Sequence, residues 1–126
     1  MVPIARVLVV DDSSTMRRIV KNSLKSVGYD NVVEAENGEG ALARLQAEKV
    51  DLVVTDWNMP VMNGLEFLKE LRGNLAGGTG PVVVFCTTEN DIKHIQEAIG
   101  AGANEYIMKP FDSEILETKF AQTGLL

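Results

Sequence analysis

Val7-Leu8-Val9-Val10-Asp11-Asp12-Ser13-Ser14 is the stretch on which the architecture turns. An unbroken apolar run of this length reads as a strand, as does Val82 to Phe85, which is apolar throughout as expected of a strand covered on both faces. The first run stops at two aspartates, and Ser13 and Ser14 then offer helix N-caps. Beyond them the apolar pattern changes period. Met16, Ile19, Val20, Leu24 and Val27 recur at helical spacing until Gly28 ends the helix.

The same unit repeats along the chain without repeating in sequence. Asn31 to Ala35 predicts a second strand, and the turn at Asn37-Gly38 leads into a helix with Ala41, Leu42 and Leu45 inward. Leu52-Val53-Val54-Thr55 predicts a third strand, again ended by an aspartate, Asp56. Leu65, Leu68 and Leu71 then mark a helix that fades before Gly73, and 73–80 predicts a connecting loop. Val82 to Phe85 predicts a fourth strand. Ile92, Ile95 and Ile99 mark a fourth helix, Tyr106-Ile107-Met108 a fifth strand, and Asp112 caps a last helix carrying Ile115, Leu116 and Phe120. Alternating strands and helices of these lengths require right-handed crossovers and a parallel sheet with helices on both faces, the α/β class.

A chain of 126 residues, 45% hydrophobic and 24% charged, is expected to form one domain, 1–126, with a core of its own. Its net charge of −6 and lack of a basic cluster argue against nucleic acid as a partner. No apolar run approaches the ~20 residues of a membrane span, and Met1 to Arg6 has no signal-peptide layout. The single cysteine, Cys86, cannot form an internal disulfide and fits inert core. A cytoplasmic protein is expected.

The polar residues fall in an informative place. Asp11, Asp12, Asp56, Thr87 and Lys109 each stand at or just past the carboxyl end of an expected strand. In an open α/β sheet those ends share one edge, where ligands bind at the reversal of strand order. Carboxylates gathered there repel one another unless a cation is present, and Mg²⁺ suits one or two carboxylates, waters and a substrate phosphate. One carboxylate can then act as a nucleophile toward phosphorus. Lys109 supplies a positive charge and Thr87 a hydroxyl donor for phosphoryl oxygens.

Asp11-Asp12, Asp56-Trp57-Asn58-Met59-Pro60 with Met62-Asn63-Gly64, Thr87, and Lys109-Pro110-Phe111 together resemble the receiver domains of two-component response regulators. The resemblance runs from about Val7 to Phe120, and four motifs in order make it specific. It implies a flavodoxin-like three-layer fold with strand order 2-1-3-4-5. It also implies that Asp56 takes a phosphoryl group from the phosphohistidine of a sensor histidine kinase. Asp12, Asp56 and the backbone carbonyl of Asn58 would ligate Mg²⁺, with Asp11 acting partly through water, and the Lys109–Pro110 bond would be cis. Thr87 and Tyr106 match the family's switch pair, which repacks a partner-binding face made by the fourth helix, fifth strand and fifth helix. Asn58 and Glu89 flank the pocket and are candidates for tuning dephosphorylation.

The likeness is greatest to stand-alone chemotaxis receivers of the CheY type, through Met16-Arg17-Arg18, Asp56 to Pro60 and Tyr106. It implies a monomeric signalling protein whose downstream partner is the flagellar motor switch. A phosphate sink or phosphorelay intermediate is the alternative. A dehalogenase-like phosphohydrolase is a poorer one, because its Asp-x-Asp motif is broken here by Asn58 and Ser13. Taken alone, Asp11-Asp12 could be a helix cap, Trp57 a partly exposed flank, Tyr106 an ordinary strand aromatic, and His94 a solvated surface residue. No Gly-Lys-Ser/Thr ending follows the glycines of 73–80, so a nucleotide-binding loop is not expected.

Overall fold

The computed structural model describes residues 6–26, 28, 29, 31–48, 50–57, 62–74, 81–87, 92–103, 105–108, 114, 115 and 118. In chain order these form β1 (Val7–Val10), α1 (Ser14–Ser26), β2 (Val32–Ala35), α2 (Gly38–Ala47), β3 (Leu52–Thr55), α3 (Gly64–Asn74), β4 (Val82–Thr87), α4 (Ile92–Gly100) and β5 (Glu105–Met108). The strands make one five-stranded parallel sheet of order β2-β1-β3-β4-β5, the flavodoxin-like order. Of the helix expected after Asp112, Glu114, Ile115 and Thr118 are described as helical, while Asp112, Leu116 and Phe120 lie outside the described residues.

Strand alternation sends side chains to two cores. Leu8, Val10, Val53, Val83, Phe85 and Tyr106 pack with Ala41 of α2, Phe67, Leu68 and Leu71 of α3 and Ala98 of α4. Val7, Val9, Leu52, Val54, Val84, Cys86 and Ile107 pack on the other face with Val20 and Leu24 of α1. Coverage of both faces is why the central strands read as continuous apolar runs.

Local chemistry sets the helix ends. At the end of α1, Gly28 takes φ +102°, a left-handed conformation that glycine adopts without a Cβ penalty. Tyr29 N–H then bonds back to the Leu24 carbonyl at 2.9 Å. Asn37 caps α2 by accepting from the Gly40 N–H at 2.8 Å. At α3, Asn63 Oδ1 accepts from the Glu66 N–H at 2.8 Å while Glu66 Oε1 accepts from the Asn63 N–H at 3.2 Å, a reciprocal capping box.

Several expected details shift. β4 runs two residues past Phe85, and α3 continues to Asn74 instead of stopping before Gly73. Ile19 and Ile99, expected inward, are exposed, while Ala98 and Phe67 fill the core beside their helical neighbours.

Candidate functional site

β1 and β3 lie side by side, with Val10 opposite Thr55. The next residue of each strand, Asp11 and Asp56, therefore emerges at one edge of the sheet. The ladder holds them there: the Asp11 N–H donates to the Ala35 carbonyl at 3.2 Å, and the Asp56 N–H to the Val10 carbonyl at 3.0 Å. From this point the chain departs in opposite directions, β1 leading to β2 and β3 to β4. That divergence opens the crevice in which α/β sheets bind ligands.

One carboxylate oxygen from each of Asp11, Asp12 and Asp56 lies within 4.8 Å of the others. Asp11 is buried, Asp56 half-buried and Asp12 exposed. Partial desolvation, followed by a side-chain hydrogen bond with Asp11 and the negative charges of Asp11 and Asp56, raises the Asp12 pKa above its ordinary 3.8. A divalent cation would relieve the repulsion that Asp12 meets from its two neighbours. Three oxygen donors with no nitrogen or sulfur form the ligand set of a hard ion such as Mg²⁺.

Short-range bonds set the angle of each acid. Asp11 Oδ1 accepts the Ser13 N–H at 2.9 Å, and Asp56 Oδ1 accepts the Trp57 N–H at 2.7 Å. Ser13 Oγ in turn accepts the Met16 N–H at 3.2 Å, capping α1 directly behind the acidic pair. The backbone of Asp56 is clamped as well. Buried Thr55 donates its hydroxyl to the Asp56 carbonyl at 3.0 Å, and the Gly64 N–H donates to the Trp57 carbonyl at 2.8 Å. A Cβ at Gly64 would collide with the Asp56 carbonyl oxygen and come within 2.7 Å of the Phe85 ring. Only glycine permits α3 to start this close to the acid.

Trp57 is buried, at 7% exposure, in contrast to the partly exposed flank expected. Its ring sits 5.5 Å from Phe85, tilted by 46°, and His94 of α4 meets it edge-on at 4.7 Å. His94 is accordingly half-buried against an aromatic, not a solvated surface residue. Phe85 stacks on Tyr106 at 6.1 Å. An aromatic file therefore runs from the residue after Asp56 to β5.

Asp11, Asp12 and Asp56 are brought together as expected. Thr87 closes β4 opposite Met108, so its backbone stands at the same sheet edge. Tyr106 is buried. Lys109, Asn58 and Glu89, together with the Lys109–Pro110 bond, lie outside the described residues. The pairing of Arg17 with Glu34 escaped the sequence reading, in which Arg17 counted only as part of the Met16-Arg17-Arg18 run. Arg17 Nε donates to Glu34 Oε1 at 3.0 Å and Nη1 to the Asp11 carbonyl at 2.7 Å. They stand on α1 and β2, and no local motif links them.

Residues 7–121 match the family described as the response regulator receiver domain. The chemotaxis protein CheY1 of Helicobacter pylori is 45% identical over 115 residues, covering 90% of this chain and 92% of that protein. A chemotaxis protein CheY homolog of Campylobacter jejuni is 47% identical over 115 residues, covering 90% and 88%. The solved structure of the chemotaxis response regulator CheY4 of Vibrio cholerae matches with a TM-score of 0.85 at 36% identity, over 96% of this chain and 99% of that one. Among the described residues, no helix is long and apolar enough to cross a membrane.

Proposed function

The chain belongs to the response regulator receiver domain family, and from that premise we propose that Asp56 accepts a phosphoryl group from the phosphohistidine of a sensor histidine kinase in a Mg²⁺-dependent reaction. One observation carries this reading: at the switch point of the sheet, Asp56 offers its carboxylate within 4.8 Å of Asp11 and Asp12. An acceptor beside two further acids suits a reaction that asks mainly for positioning and charge neutralisation.

An Asp56 carboxylate oxygen attacks phosphorus. The bond from phosphorus to the donor imidazole nitrogen breaks, and its electron pair returns to that ring. Asp12, Asp56 and the Asn58 carbonyl would hold Mg²⁺, with Asp11 acting partly through water, and the bound ion would neutralise the acids and the phosphoryl oxygens. Lys109 pairs with one phosphoryl oxygen and the Thr87 hydroxyl donates to another. Asn58 and Glu89 influence the water that later hydrolyses the acyl phosphate.

The output follows from packing. As the Thr87 hydroxyl turns to the phosphoryl group, Tyr106 moves into the space it leaves and repacks the face built by α4, β5 and the last helix. The stacking of Tyr106 on Phe85, next to Trp57, supports such a path. The names of the relatives support a chemotaxis role; the flagellar motor switch as downstream partner of a monomeric cytoplasmic protein is our reading from the family resemblance.

Intact mass after incubation with Mg²⁺ and a small phosphodonor tests the chemistry. One added phosphoryl group is expected, dependent on Mg²⁺ and lost in Asp56→Asn. Unmodified wild type, in a folded protein shown to bind Mg²⁺, would overturn the reading.

A further inference from the structure

We infer that Arg17 is a positioning residue for the cation site, a two-pronged strut that fixes the loop carrying Asp11 and Asp12 to the edge strand β2. The inference rests on the Mg²⁺ reading above and extends it to residues outside the acid cluster.

One prong, Nη1, donates to the backbone carbonyl of Asp11 at 2.7 Å, and the other, Nε, to Glu34 Oε1 at 3.0 Å. The Arg17 side chain is only 12% exposed, which shelters the bond to the Asp11 carbonyl, while Glu34 remains 38% exposed at its end of the pair. Glu34 is held from its other oxygen by Lys21 at 3.6 Å. The Asp11 carbonyl directly precedes the turn in which the Ser13 N–H holds the Asp11 carboxylate. Guanidinium geometry suits the task, since its planar fork makes two bonds in fixed directions where an ammonium offers a single point.

The arrangement carries an opposition of signs that makes it testable. A cation so near an acidic pocket opposes Mg²⁺ by charge alone, so deleting it should tighten binding. A strut does the reverse. Partners that orient metal ligands without touching the metal are typically worth about 10–100-fold in metal affinity. Glu34 neutralises the guanidinium locally, which reduces the opposing charge effect and leaves the positioning role dominant.

The experiment is Mg²⁺ titration of the full chain followed through Trp57 emission, at a temperature where metal-free wild type and Arg17→Met are both fully folded. The expected result is a Kd about tenfold higher in Arg17→Met. A role confined to stability would lower the metal-free melting temperature and leave Kd unchanged. An unchanged or lower Kd overturns the inference. If Arg17→Met does not fold, Arg17→Lys decides: it keeps the charge but not the fork, so a several-fold rise supports the strut and a wild-type Kd overturns it. Wild type that binds no Mg²⁺, checked by calorimetry, would instead sink the cation-site reading on which the strut depends.

Discussion

Asp12 is the residue at which the tension of the site is measurable. Its raised pKa means that folding brings its carboxyl into a place where the proton is held more tightly than in the unfolded chain. The sign follows directly. The stability associated with Asp12 is complete below its unfolded value and is lost as pH rises through the folded one, so at neutral pH the metal-free protein carries a penalty. Asp12→Asn should therefore raise the metal-free melting temperature at pH 7. Exposed charge pairs are worth at most about 1 kcal/mol, so the gain should be ~2–3 °C. It should vanish near pH 3, and Mg²⁺ should stabilise the variant far less than wild type. Melting curves across pH, with and without Mg²⁺, check all three; a lower melting temperature at pH 7 would contradict the account. The acids were legible in the sequence because each ends an apolar run. The part played by Arg17 was not, although the residue stands in the Met16-Arg17-Arg18 run, because its partners are a backbone carbonyl and a glutamate on β2, and neither leaves a pattern along the chain.

At the scale of elements, the start of α3 and helix α4 both pack against the loop that leaves β3, at Asp56 and Trp57. Gly64 lets α3 start against the Asp56 carbonyl. Gly64→Ala forces that contact apart, and overpacking of this kind typically costs about 1–3 kcal/mol. Because the displaced atom belongs to Asp56 itself, Mg²⁺ affinity should fall along with stability; denaturant melts and a Mg²⁺ titration read the two together. α4 reaches the same loop through His94 and Trp57. Removing the edge contact in His94→Ala should cost about 1 kcal/mol and shift Trp57 emission to longer wavelength as water reaches the ring. Emission unchanged from wild type would mean that α4 does not shield Trp57 there. Helical periodicity identified α3 and α4 and the inward leucines of α3, but left out buried Phe67 and took Ile99 of α4, which is exposed. A rule that looks for large aliphatics takes Ile99 inward, whereas the structure exposes Ile99 and fully buries Ala98, one position earlier. The neighbour relations of Trp57 are tertiary throughout, so the sequence could suggest only that it flanks the site.

For the whole molecule, the parallel sheet was readable because its strands are apolar on both faces and alternate with helices. Neither feature specifies strand order, which came from the family resemblance and is what joins the end of β1 to the end of β3. Topology thereby gathers a candidate ligand set for a cation: the three acids lie on loops that leave β1 and β3 in opposite directions, and only the native sheet brings them within 4.8 Å. An ion bound there binds the folded state and not the unfolded chain, so its binding energy becomes folding stability. At a Mg²⁺ concentration 100 times Kd the gain should be about 2.7 kcal/mol, or roughly 10 °C in melting temperature for a domain of this size. Asp56→Asn weakens both the ligand set and the repulsion that the ion relieves. It should melt higher than wild type without metal, yet gain much less from Mg²⁺, so that the two melting curves converge or cross as Mg²⁺ is added. Parallel gains in the two proteins would place the ion elsewhere, and would separate the cation from the carboxylate that the fold has set beside Asp11 and Asp12.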